Sequence, residues 1–156
     1  MQKLSSKTQN RIGFSLVELV IVIAIITLLA GIIVSGLINY ASRQSLESMT
    51  EDIRIGLENT RNNTLASRDD TTYGIYVGAT STIFFAGASY IPEGDFIETI
   101  EYEGTRFVTS NFSDGTSTIV FNRLTGEPSA TGTISIIDSV MNASTTIIIY
   151  ETGLIE

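Results

Sequence analysis

Residues 11–31 read RIGFSLVELVIVIAIITLLAG, and from 19 to 38 the chain offers twenty positions without a charge, with Glu18 standing at the border of the run. A helix of that length rises about 30 Å, close to the hydrocarbon thickness of a bilayer. Gly31, Gly36, Thr27 and Ser35 do not spoil such a helix, because small and hydroxyl residues are tolerated in membrane spans. The stretch is therefore expected to be a single spanning helix rather than a buried helix of a soluble core. Lys3, Lys7 and Arg11 precede it with no acidic residue among them, while residues 43–70 hold four Arg against six acids. Positive charge stays on the cytoplasmic side, so the N-terminus is expected inside and the C-terminal part outside. An ordinary secretory signal needs a shorter apolar core followed by a small-residue cleavage site. Here the run is too long and continues into NYASRQSLE.

Composition narrows the chemistry. The chain has 156 residues, no Cys and no His, which removes disulfides, thiolate chemistry, imidazole-activated nucleophiles and most zinc sites. No cofactor or metal is expected, and an enzyme is disfavoured. Everything after Gly13 holds six Arg, no Lys and seventeen acidic residues, a balance of −11. Nucleic-acid affinity comes largely from Lys and Arg displacing counterions, so nucleic acid is an unfavourable partner for this part of the chain.

GFSLVELVIVIAIITLLAGI behind a short basic leader resembles the processing signal of type IV prepilins and type II secretion pseudopilins. The resemblance implies a cut after Gly13 by a dedicated prepilin peptidase, which also N-methylates the new N-terminal residue, Phe14. It implies that Glu18 is the family's assembly glutamate, meeting the Phe14 amine of a neighbouring subunit. The implied partners are other pilin or pseudopilin subunits, the peptidase/N-methyltransferase and an inner-membrane assembly platform. Independently of the family, an amine on Phe14 and a carboxylate on Glu18 stand four positions apart, on one helix face. A lone charge at the bilayer centre costs about 2.5–3.5 kcal/mol on insertion scales, and pairing with an amine would offset much of that.

Helical pattern continues beyond the apolar run. Leu46, Met49, Ile53 and Leu57 recur at spacings of three and four, one apolar stripe with charged residues elsewhere around the wheel. Glu51-Arg54 and Glu58-Arg61 are spaced to pair, whereas Glu47 and Glu51 repel. Asn62-Asn63 and SRDD are expected to end the helix. No Pro bends its first half, and Ser35-Gly36 is a candidate for flexibility there instead. From Thr71 the period changes. TTYGIYVG, STIFFAG, DFIETIEYEG, TRFVTS, TSTIVFNR, TGTISIID and STTIIIYE read as seven strands bounded by Gly, Asn, Asp and Pro. STTIIIYE is apolar enough to be buried on both faces. The expected class is α+β, the pilin fold: one long N-terminal helix, spanning in its first half and amphipathic in its second, packed on a C-terminal antiparallel β domain. The expected organisation is a cleaved leader (1–13), a transmembrane and assembly helix (14–38), an amphipathic continuation (39–68) and a β-rich domain (69–156).

STIVFNRLTGEPSATGTISI and TTIIIYETGLIE are similar to the C-terminal pattern of the minor pseudopilin H and related minor type IV pilins. The matching positions are Phe121, Gly126, Gly132, Gly153 and Ile155, with Leu124 lengthening the first turn. This resemblance favours a minor subunit. The alternatives are a major pilin that forms the fibre itself and a minor pilin acting as a tip adhesin or in DNA uptake. Asp69-Asp70 and NFSDGTS around Asp114 read as turns, the latter a hairpin without the ligand spacing of a calcium loop. Glu93, Asp95, Glu98, Glu101 and Glu103 read as a solvated or partner-facing edge, with Glu101 and Glu103 on one strand face.

Overall fold

The computed structural model describes residues 14–94, 96–102 and 104–156, the side chains of 33–39 excepted. The leader with Lys3, Lys7, Arg11 and Gly13, together with Asp95 and Glu103, lies outside the described residues. The chain divides into two compact units, Met1–Asn39 and Tyr40–Glu156.

One helix, α1, runs over Leu16–Leu65, 50 residues. It passes through Ser35-Gly36 and Asn62-Asn63 and ends at Leu65, two residues before SRDD, the second expected stop. Ser67, with a left-handed φ of 48°, turns the chain out of it into a short 3-10 turn, Arg68–Asp70. Two buried hydroxyls support the last turns: Thr60 donates to the Gly56 carbonyl and Thr64 to the Thr60 carbonyl. Thr64 Oγ1 also accepts the amide of Tyr73, which ties the helix end to the first strand.

Among the described residues seven strands follow: β1 Tyr73–Val77, β2 Ser81–Ala86, β3 Phe96–Glu101, β4 Arg106–Phe112, β5 Thr118–Val120, β6 Gly132–Asp138 and β7 Ala143–Ile149. They form a four-stranded sheet in the order β3-β2-β1-β5 and a three-stranded sheet in the order β4-β6-β7. Every pairing is antiparallel. The architecture is thus α+β, a helix followed by antiparallel sheets, consistent with the pilin fold. Residues 113–117 carry the chain from one sheet to the other, so NFSDGTS is a turn but not a hairpin. There the Asp114 carboxylate accepts the amide and hydroxyl of Thr116.

Within the second unit the core joins α1 to both sheets. Leu46, Met49, Ile53 and Leu57 are all buried, against Ile75, Phe84 and Ile119 of one sheet and Val108, Ile134, Ile136 and Ile147 of the other. Burying side chains of this size removes apolar area worth about 1.5–3 kcal/mol each from water. β7 is not buried on both faces. Ile147 and Ile149 point inward and Ile148 outward, the alternation of a strand with one wet face. A second cluster lies on the other face of the β1–β2 pair. The Tyr76 and Tyr90 rings stack 4.1 Å apart, and Phe85 and Phe96 lie against Tyr90 at 5.8 and 5.9 Å.

Candidate assembly site

Phe14 and Ser15 precede α1, whose first hydrogen bond described runs from the Leu19 amide to the Ser15 carbonyl at 3.1 Å. Glu18 therefore sits in the first turn, where unpaired amides and the helix dipole favour a carboxylate. This second reason for an acid at that position was not drawn from the sequence, although the helix start was the signal. Phe14 is 78% exposed, and large apolar side chains from Leu16 to Ile32 are exposed all round the helix. Thr27 satisfies its hydroxyl internally, donating to the carbonyls of Ile23 and Ala24 at 3.0 Å. The segment thus presents an apolar surface without an unsatisfied side-chain donor at Thr27. Among the described residues, no helix is long and apolar enough to cross a membrane. The side chains of 33–39, the later part of the expected span, are not among those described. Of the expected processing and assembly residues, Phe14 lies just before α1, Glu18 lies in its first turn, and Gly13 lies outside the described residues.

The C-terminal pattern marks a junction with the helix. Phe121 and Ile155 are buried. Arg61, expected to pair with Glu58, instead donates to two turn carbonyls, Gly126 at 3.1 Å and Thr152 at 3.3 Å. Gly153 has φ +76°, and a Cβ there would stand 2.2 Å from the Gly126 carbonyl oxygen and 2.5 Å from Arg61 Nε. The two turns and the arginine are packed too closely for a side chain at 153. Leu124, the extra turn position, takes φ 71° and is 81% exposed, a conformation unfavourable for a branched residue. Arg54 bonds both Glu51 and Glu58, at 2.6 and 2.7 Å. Asp70 is held by Arg123.

Asp138 was not singled out by its sequence context. It is buried and closes the β6–β7 turn, accepting the amides of Val140 and Met141 at 3.0 and 3.1 Å and the Thr105 hydroxyl at 3.3 Å. The Met141 amide foremost, then those other donors and the Arg106 charge, hold its carboxyl below the usual range against the opposing effect of burial. Arg106 approaches it at 3.6 Å. Burial pushes the Tyr102 hydroxyl up to about 12, although its bond to Thr82 works in the other direction. Among the described residues no three ligating side chains gather into a metal site.

The described residues thus comprise an N-terminal helix with an acid in its first turn and exposed apolar side chains, followed by a small antiparallel β domain. Residues 8–34 match the family model described as the prokaryotic N-terminal methylation motif. That motif supports a type IV pilin-like subunit, a structural rather than an enzymatic class. No curated protein and no solved structure matches the chain.

Proposed function

We propose that this chain is a structural subunit of a type IV pilus or of a type II secretion pseudopilus. A prepilin peptidase cuts it after Gly13 and methylates the amine of Phe14. It resides in the cytoplasmic membrane by the helix of residues 14–38, N-terminus inside and β domain outside, until an inner-membrane platform extracts it into the polymer. There the Glu18 carboxylate pairs with the Phe14 amine of the neighbouring subunit. The match to the methylation motif over residues 8–34 carries this reading, and the uncovered apolar surface of residues 14–32 supports it, since exposed surface of that extent requires lipid or other helices.

The C-terminal pattern around Phe121, Gly126, Gly132, Gly153 and Ile155 favours a minor subunit, present at low stoichiometry. Intact-mass and N-terminal analysis of the protein from cells with an active peptidase tests the processing. The expected product begins with N-methylated Phe14, and a retained Met1 overturns the reading. Lys3 and Lys7 are the only lysines in the sequence, so processing also removes every side-chain amine. Labelling with an amine-reactive reagent should fall to the terminal amine alone.

A further inference from the structure

The four-stranded sheet ends on β3, which among the described residues pairs only with β2. The Tyr102 amide donates to the Thr80 carbonyl at 2.9 Å, and this bond sets the phase of the ladder. Hydrogen-bonded positions alternate along an antiparallel pair. Ile100 and Glu98 therefore bond β2, while the amides and carbonyls of Thr99 and Glu101 face outward from the sheet. Both residues are exposed. The register shift at Phe84/Phe85 leaves Ile97 without a partner on β2, and its side chain is exposed as well.

Two further features meet at this edge. The first is apolar: the Tyr76, Tyr90 and Phe96 rings stack in succession from β1 to β3, at 4.1 and 5.9 Å. The row stops at the edge, where Phe96 stays exposed with Ile97 beside it in sequence. The second is charge. Residues 91–105 hold five acids and no Lys or Arg. Glu98 and Glu101 are exposed and have no ion pair among the described residues. Charges on an edge strand deter the pairing of like edges, and two copies of β3 side by side would double those carboxylates along one seam without a cation. This argues against a second copy as the occupant and for a strand that carries cations.

We propose that the outer edge of β3 takes up an extended, basic segment of another protein as an added strand of the sheet. Main-chain bonds to Thr99 and Glu101 supply the attachment, and side chains supply the selectivity. Run antiparallel, the segment sets Lys or Arg against Glu101 and Glu98, and apolar residues against Ile97 and Phe96, where they extend the row of rings. The inference goes beyond the assembly reading and stands whether or not the chain is cut after Gly13, since every residue it uses lies in the second compact unit. A partner of different sequence also suits a subunit present at low stoichiometry.

The test adds a blocked peptide, Arg-Val-Thr-Arg-Val-Tyr, to the full chain in uncharged detergent and follows amide hydrogen exchange residue by residue. At about ten times its dissociation constant the peptide should slow exchange at Thr99 and Glu101 about tenfold. Glu98 and Ile100, already bonded to β2, should be unchanged. The acidic counterpart, Glu-Val-Thr-Glu-Val-Tyr, should have no effect. A chain carrying Glu98→Arg and Glu101→Arg together should reverse the preference, a result that loss of folding does not imitate. The proposal is overturned if the basic peptide does not bind, or binds without slowing Thr99 and Glu101 as a loose electrostatic contact would. It is equally overturned if both peptides act alike. Slowing of the same amides without peptide, rising with protein concentration, would make a second copy the occupant and overturn it too.

Discussion

The Phe84 ring lies over Gly56, with its Cζ 2.3 Å from the place a Cβ would occupy. A glycine in mid-helix ordinarily weakens the helix by roughly 0.5–1 kcal/mol relative to alanine. Here it lets a fully buried aromatic side chain of β2 approach the α1 backbone, which is how the stem and the four-stranded sheet share one core.

Gly56→Ala is accordingly expected to destabilise, against the direction of helix propensity. Overpacking of this kind typically costs about 1–3 kcal/mol, exceeding the propensity gain. Thermal unfolding of the full chain in detergent checks it. Combining the change with Phe84→Leu should recover part of the loss, because the smaller side chain makes room for the methyl group. A Gly56→Ala protein more stable than wild type would contradict the packing account.

Asp138 gives the fold an acid-sensitive turn. Its carboxyl is held below the usual range in the folded chain, so the stabilisation it provides is fully present above the unfolded value, near 4. That stabilisation is lost as pH falls through the lowered folded value. Between about pH 5 and pH 2 the wild type should lose more stability than Asp138→Asn, whose amide cannot titrate. Denaturant unfolding across that window measures the difference, and parallel curves would remove Asp138 from the explanation.

Arg61→Ala should release the turns at 124–127 and 151–153. Two hydrogen bonds from a charged donor are lost, each worth about 1.5–3 kcal/mol at full strength and less at this partly exposed site. Hydrogen exchange should accelerate at the amides of Gly126 and Gly153, which bond the carbonyls of Asn122 and Tyr150, before it changes in β1 or β2. Arg61→Lys should rescue poorly, because a point charge cannot span both carbonyls as the guanidinium fork does.

Glu18→Ala is expected to leave membrane insertion intact, or to improve it slightly, by removing a charge from the edge of the apolar run. Assembly should be impaired if, as proposed, the Glu18 carboxylate pairs with the amine of a neighbouring subunit. Membrane fractionation and the yield of sheared polymer separate the two effects. Normal polymer yield would end the pairing account while leaving the fold untouched.

The long helix, its apolar first section and the Leu46-Met49-Ile53-Leu57 stripe were legible in the sequence, because helical periodicity and continuous apolarity are signals written in neighbouring residues. All seven strands were legible for the same reason, and so was the N-terminal methylation motif matched over residues 8–34, which lies in one short segment. The errors share one cause. STTIIIYE was read as buried on both faces because composition does not say whether Ile148 has a neighbour. NFSDGTS was read as a hairpin because a turn residue does not say which strand comes back beside β4.

Tertiary structure alone decided what depends on residues far apart in the chain. Strand pairing placed β5 beside β1 and sent β6 to the other sheet. Arg61 turned from Glu58 to carbonyls at 126 and 152, and Asp138 became a buried turn acceptor facing Arg106. None of these could be read from local spacing, because the contacts that fix them form only when segments separated by tens of residues pack together. The long helix and the N-terminal methylation motif are local and were determined by the sequence itself. The arrangement of the β domain and the partners of its charges are non-local, and packing determined them.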